Sequence, residues 1–329
     1  MDAILAALEP AGMASPFRRR FMPELPDLEI YVEALQARVL RQIVSAAKVL
    51  HPFVLRTYEP PLASVVGREV IGVRRLGKRI VLECSDEHFL IVHLMLLGRL
   101  QWLEPRKKVP ARAALLALEY ATGTLVLTEQ GSKRRASVHY VHGTAALESF
   151  RRAGLDPLES DLTSFVERLR EENRTLKRAL TDQDLVSGVG NAYSDEILHR
   201  ARLSPTMRTG SLDDEGFHRL YHACKTTLTE WTSRLREEAK GSFPSRVTAF
   251  HPEMAVHGRY GKPCPVCQTP VQRVKYADSE SNYCPTCQTG GKLLADRGLS
   301  RLLGADWPRT LEELEERRRN QPPPKDATR

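Results

Sequence analysis

The sequence predicts an α+β multidomain chain, and three observations carry that prediction. Short β-branched or leucine-rich runs separated by turn signals fill residues 80–128, a helical apolar period runs over 145–239, and residues 264–287 hold two CxxC pairs. With 329 residues, 41% of them hydrophobic, the chain can bury the cores of several compact units. The resulting plan is an extension or mis-assigned start at 1–21, an amino-terminal β-sandwich domain at 22–147, a helical domain at 148–250, a cysteine module at 251–290 and a tail at 291–329.

Residues 1–21 contain Met13 and Arg18-Arg19-Arg20 but no sustained apolar period. Pro26 and Asp27 then suit the first turn of an amphipathic helix over 27–41 whose apolar face is Leu28, Tyr31, Val32, Leu35 and Val39. Strands are predicted at 80–84, 89–94, 99–103, 115–120 and 125–128, with Ser85-Asp86-Glu87 and Ala121-Thr122-Gly123 as turns; together they make a β-sandwich or barrel-like unit. Helices follow at 145–153, 161–173, 175–182, 191–202 and 213–239. The last of these has Ser211 as its cap and Asp213, Asp214 and Glu215 in its first turn, where acids favour the helix dipole. Gly241-Ser242-Phe243-Pro244 breaks it. The tail carries a solvated helix over 311–319, with Glu313/Arg317 and Glu315/Arg319 at i,i+4 spacing, stopped by Pro322-Pro323-Pro324.

Lys plus Arg outnumber Asp plus Glu by 49 to 41, a balance of +8 that favours a polyanionic partner. The most apolar run, 89–98, is too short for a membrane span and is interrupted by His93, and residues 1–12 lack the basic flank of a signal peptide. The expectation is a protein of the cytoplasm, nucleoid-associated if bacterial, with no membrane partner. Cys84 lies in a strand-like run and Cys224 in a helical one, and both read as buried core thiols.

The other four cysteines, Cys264, Cys267, Cys284 and Cys287, present two CxxC turns that can close tetrahedrally on one zinc ion. The spacer between the pairs suits a β-hairpin. Four thiolates leave no position for water, so this zinc is structural. Such ribbons occur in many nucleic-acid, ribosomal and protein-interaction modules.

Met22-Pro23-Glu24-Leu25-Pro26-Asp27-Leu28-Glu29 carries the chemistry. Removal of an initiator Met22 would leave Pro23 as a free secondary amine beside a carboxylate. An α-amino group of pKa about 8 is partly unprotonated near neutrality and can attack an aldehyde-level carbon to form an iminium. With residues 1–22 attached, Pro23 is instead a tertiary amide without a nucleophilic lone pair, so the chemistry needs a start at Met22 or processing.

The octet resembles the amino terminus of the formamidopyrimidine-DNA glycosylase and endonuclease VIII family, which implies Pro23 as nucleophile and Glu24 as proton donor. Further segments extend the resemblance. Leu185 to Glu196, a Gly-rich turn feeding a helix whose first amides can receive a phosphate, resembles the family's helix-two-turn-helix element, which implies that Asn191 binds phosphates beside the lesion. Lys177 matches a lysine that helps hold damaged DNA. Gly77-Lys78 resembles the family's Gly-Lys motif, implying that Lys78 contacts DNA and assists β-elimination. His93-Leu94-Met95-Leu96-Leu97-Gly98-Arg99 and Lys133-Arg134-Arg135-Ala136 match two loops that fill the gap left by a flipped nucleotide, with Leu96 at a methionine position, Arg134 kept, and Ala136 in place of phenylalanine. A methyl wedges a base step poorly, so looser selectivity for the opposite base is expected. The cysteine module, from Met254 to Gln288, resembles the family's zinc finger, with Ser279 where an arginine normally assists a second elimination; Arg273 or Lys275 could supply charge on the same hairpin.

The resemblance implies a β-sandwich, a helix-two-turn-helix domain and a zinc ribbon clamping damaged DNA, in a monomer that excises oxidised bases and cleaves the strand by elimination. Two alternatives stay open: an abasic-site lyase with little glycosylase activity, and a non-catalytic lesion-binding protein if Pro23 is not amino-terminal.

Overall fold

A computed structural model describes residues 22–110, 112–131, 133–244, 251–275, 280–295, 304 and 307–319; the expected extension at 1–21 and Ser279 lie outside them. Helix α1 (Leu25–Val39) starts earlier than the apolar period suggested, because the carboxylate of Asp27 accepts the backbone N–H of Glu24 at 3.0 Å and Pro26 fits the first turn. Its sides face different cores. Leu28, Tyr31, Val32, Leu35 and Val39 pack into the β domain, whereas Leu25 joins the core of the helical domain.

Eight strands form a sandwich: β1 (Ala46–Val49), β2 (Val70–Leu76), β3 (Arg79–Cys84), β4 (His88–His93), β5 (Gly98–Leu103), β6 (Ala114–Tyr120), β7 (Gly123–Glu129) and β8 (Ser137–His142). They make two antiparallel sheets of order β1-β6-β7-β5 and β2-β3-β4-β8. Val73, Ile80, Leu82, Leu90 and Val92 meet Leu100, Leu116, Leu118, Leu125 and Leu127 between the sheets. Val81, Phe89 and Ile91, on the other side of the second sheet, are covered by Leu147 of helix α2 (Thr144–Glu148). Both faces of β4 are therefore dry, which is why its sequence reads as an unbroken apolar run. β1, β2 and β8 lie outside the predicted strands. β2 carries Gly72, Arg74 and Arg75, and the arginines are paired to Glu83, Glu29 and Asp156 rather than facing an apolar layer.

The helical domain continues with α3 (Leu162–Arg170), α4 (Leu176–Thr181), α5 (Asn191–Ala201) and α6 (Asp214–Ala239) around Phe165, Leu180, Tyr193, Leu198 and Phe217. The cap of α6 is Asp213, whose carboxylate accepts the N–H of Gly216 at 2.8 Å, and Ser211 instead sits in the preceding 3-10 turn. The helix stops where Lys240 and Gly241 take left-handed backbone, at φ 46° and 73°. Cys84 and Cys224 are buried, as expected. No helix among the described residues is long and apolar enough to cross a membrane.

The cysteine module is a hairpin of β9 (Gln272–Lys275) and β10 (Glu280–Tyr283) followed by α7 (Pro285–Thr289), and the tail holds α8 (Leu311–Arg319). Consecutive acids of α5 hold the module. Buried Glu196 accepts the N–H groups of Ala255, Val256 and His257 at 2.7, 2.9 and 2.9 Å. Asp195, fully buried, accepts Lys177 Nζ at 2.6 Å, Ser281 Oγ at 2.9 Å and the Asn282 N–H at 3.0 Å, and contacts His257 Nδ1 at 2.8 Å. Replacing Asp195 by Ala strands a buried ammonium, and the expected cost is about 3–5 kcal/mol in chemical denaturation. The paired change Lys177→Met with Asp195→Leu removes the stranded charge but leaves the buried Ser281 hydroxyl and Asn282 N–H without their acceptor, so it should recover only part of that loss.

Candidate active site

The site is organised by one residue without a side chain. Gly190 is the N-cap of α5 and has none to offer, so the first amides of that helix need an acceptor from elsewhere. Glu24 supplies it: its carboxylate accepts the N–H groups of Gly190 at 2.7 Å, Ala192 at 2.8 Å and Tyr193 at 3.2 Å. The sequence had suggested these amides for a phosphate. A buried carboxylate of the chain takes them instead, favoured by the positive end of the helix. The adjoining N–H of Leu25 donates to the carbonyl of Gly188 at 3.0 Å.

Lys78 enters the same corner from the β2–β3 turn. A Cβ placed on Gly190 would come within 2.6 Å of the Glu24 carboxyl carbon and 2.7 Å of Lys78 Nζ, so only glycine lets the two side chains close on this point. Lys78 makes no hydrogen bond among the described residues. Burial lowers its pKa, opposed by the Glu24 carboxylate and reinforced by the Lys177 ammonium. Pro23 is buried beside Glu24, and Met22 lines a cleft of about 1000 Å³ shared with Lys78, Arg79, His93, Arg152 and Asp156.

Sequence reasoning did not single out His93 as a site residue. It ends β4 in register with Arg79, directly after Lys78, and burial together with Arg79 and Lys78 pushes its pKa down to about 4, so the imidazole is neutral at pH 7. The signal was its place at the head of the segment carrying Leu96, where it read only as an interruption of an apolar run.

The other named residues lie around this corner. Asn191 begins α5 and donates from Nδ2 to the carbonyl of Glu280 at 2.9 Å, tying the helix start to the finger hairpin. Lys177 is buried, donating to the carbonyl of Asn191 and to Asp195, both at 2.6 Å. Leu96 sits half-buried in the turn joining β4 and β5, and half-buried Arg134 donates to the carbonyl of Arg112 at 2.6 Å. The two loops adjoin, since a Cβ on Gly98 would lie 3.0 Å from Ala136 Cβ. Ala136 itself is only 3% exposed and belongs to the sandwich core, so its methyl is withdrawn from the surface. Arg273 is spoken for by Glu280 at 3.7 Å and the Tyr260 ring at 4.2 Å.

The four sulfurs of Cys264, Cys267, Cys284 and Cys287 lie within 4.8 Å of one another, with separations of 3.3 Å for Cys267–Cys284 and 3.9 Å for Cys264–Cys287. A tetrahedral zinc with bonds near 2.3 Å sets sulfurs about 3.8 Å apart, so the cluster fits one structural zinc. His199 Nε2 of α5 lies 3.3 Å from Cys264 Sγ, a contact that fixes the site to the helix.

Three family models match the chain: the formamidopyrimidine-DNA glycosylase N-terminal domain over residues 22–136, the H2TH domain of the same enzymes over 153–237, and the zinc finger found in FPG and IleRS over 261–290. Among curated relatives, the formamidopyrimidine-DNA glycosylase of Thermus thermophilus is 34% identical over 285 residues, covering 82% of this chain and 100% of its own. That of Chloroflexus aurantiacus is 32% identical over 276 residues, covering 81% and 98%. A solved Lactococcus lactis FPG (MutM) complex with FAPY-dG DNA superposes with a TM-score of 0.72 at 25% identity, covering 81% of this chain and 100% of that one. The order of the three modules, their span and the identity over nearly whole relatives establish that the chain belongs to the formamidopyrimidine-DNA glycosylase family.

Proposed function

We propose that this chain removes oxidised bases from damaged DNA with Pro23 as nucleophile, Glu24 as proton shuttle and Lys78 as the residue assisting elimination. Family membership makes it a base-excision-repair DNA glycosylase with abasic-site lyase activity. The observation that carries the residue assignment is the convergence of Glu24 and Lys78 on Gly190, next to Pro23.

The base is flipped into the cleft and the Pro23 nitrogen attacks C1′ of the deoxyribose. The C1′–base bond breaks, the base leaves with a proton passed through Glu24, and the sugar opens to an iminium on Pro23. That cation acidifies the C2′ proton. Its removal drives β-elimination, in which the C3′–oxygen bond breaks and the strand is cut. Desolvated Lys78, whose proton is held less tightly than in water, is suited to hold the phosphate or relay a proton there. Neutral His93 can donate a hydrogen bond beside it. Asn191 and Lys177 organise the α5 end against the DNA backbone, while Leu96 and Arg134 enter the gap left by the flipped nucleotide. Cys264, Cys267, Cys284 and Cys287 would hold a structural zinc that fixes the fold of the finger, while Asp195 and Glu196 dock it on α5. A monomer acting in the cytoplasm, on nucleoid DNA in a bacterium, fits this reading.

The rival reading, a lyase with little glycosylase activity, is favoured by Ala136, which is buried and leaves the second loop without a large apolar side chain. A pure lyase nicks abasic duplex and leaves 8-oxoguanine and dihydrothymine duplexes intact.

Borohydride trapping on an abasic duplex tests the nucleophile by comparing protein started at Met22 with protein started at Met1. Only material whose mass shows Pro23 at its amino terminus should trap. Trapping by material that retains residues 1–22 would remove Pro23 from the mechanism, and trapping by neither would leave a DNA-binding relative without chemistry. Affinity for lesion duplex should fall at least about tenfold between 50 and 200 mM salt, as phosphate contacts release counterions; a flat salt response in a binding titration would contradict a cation-lined DNA cleft.

A further inference from the structure

We propose that Arg75 is a positioning residue that sets Lys78 against Glu24 and makes that placement depend on the seating of the two domains; the proposal rests on the catalytic reading of Lys78 above. All three guanidinium nitrogens are engaged, each with a different part of the site. Nε donates to Glu29 of α1 at 2.6 Å, Nη2 to Asp156 of the helical domain, and Nη1 to the carbonyl of Gly77 at 3.3 Å. One planar group therefore joins the helix that follows Pro23 and Glu24, the segment across the cleft, and the turn that carries Lys78.

The surroundings leave the guanidinium little freedom. Its side chain is 8% exposed, so it is not offered to solvent or to a phosphate backbone. Asp156 is fixed in turn, since its other oxygen accepts the N–H of Leu158 at 3.0 Å. The Lys78 turn depends on Gly77 at φ 60°, and a Cβ there would lie 3.4 Å from Ser187 Oγ. A Cβ on Gly188 would lie 3.0 Å from Leu25 Cβ and 3.3 Å from Arg75 Nη1. Arg75 thus fills the seam between the Lys78 turn and the segment that leads into Gly190. Nothing else described fixes Lys78 by a hydrogen bond, so the course of its ammonium depends on the backbone of the turn, and the Gly77 carbonyl is the point where Arg75 holds that backbone.

The test uses whichever form of the protein traps abasic DNA, with single-turnover strand cleavage of an abasic duplex and duplex affinity measured side by side. Arg75→Gln should slow strand cleavage by about 10- to 100-fold, the scale of misplacing a reacting group by roughly an ångström, while the dissociation constant for the same duplex moves by less than about threefold. Asp156→Asn should shift the rate in the same direction, and it carries the test alone if Arg75→Gln does not fold. The decisive measurement is the cycle with Lys78→Ala. If Arg75 acts through Lys78, adding Arg75→Gln to Lys78→Ala slows strand cleavage no further. Losses that multiply, or a rate and an affinity that fall together with the melting temperature, overturn the positioning role and leave Arg75 a structural ion pair. A Lys78→Ala variant that cleaves abasic duplex as fast as the parent, or a parent that never traps or cleaves, removes the reading of Lys78 and the proposal with it.

Discussion

The structure turns on a carboxylate of one domain serving as the helix cap of another. Glu24 lies in the segment leading into α1, yet its acceptors satisfy the open amides of α5 in the helical domain. Such amides are costly to bury unpaired, each at about 1–3 kcal/mol. Domain docking and the placement of the proposed proton shuttle are consequently the same event. A chain that fails to seat α1 on the helical domain loses the cap and the site together, without passing through a state in which one is intact.

Helix α5 extends this logic toward its carboxyl end. Asn191 holds the finger hairpin, Asp195 and Glu196 gather its loops, and His199 touches a cysteine of the zinc cluster. Burial raises the pKa of Glu196 and is opposed by the backbone amides it accepts. Asp195 is also desolvated, but Lys177 and His257 outweigh that effect and hold its pKa below the usual carboxylate value. A polar interface of this kind gives less net stability than an apolar one of equal size, but it tolerates one register only. A finger slipped by a single residue would face two buried acids with no donors.

How much of this was legible in the sequence depended on whether the signal was local. The apolar face of α1, the strands from 79 to 129 and the helices from 162 to 239 follow from periodicity, since each must bury one side. The four cysteines announce their geometry by spacing alone. β2 was hidden because its arginines are neutralised from other elements, Arg74 by Glu83 of β3 and Arg75 by Glu29 and Asp156, so its polarity resembled a loop. Asp213 displaced Ser211 as a cap by standing next to the helix. The occupation of the α5 amides by Glu24 was invisible for the same reason: a helix start looks free until the fold brings an acid from another domain.

The cleft wall itself is out of balance. Lys78, Arg79 and Arg152 face His93; burial depresses the basicity of Lys78, Arg79 and His93, and repulsion adds to it, from Lys177 on Lys78, from Arg152 on Arg79 and from all three cations on His93. Among the described residues Arg152 pairs only with Asp184, at 3.5 Å and with both side chains more than half exposed, so that pair offsets little. Carrying uncompensated positive charge in a partly desolvated groove destabilises the free protein, and an entering phosphate relieves that cost as it forms new charge-assisted bonds. Part of the affinity for a polyanion is therefore stored in the fold before the ligand arrives, and it is stored next to the atoms proposed to carry the chemistry. The anion that relieves the repulsion would also make Lys78 a stronger base, so in this reading a correctly seated DNA backbone completes the catalytic group.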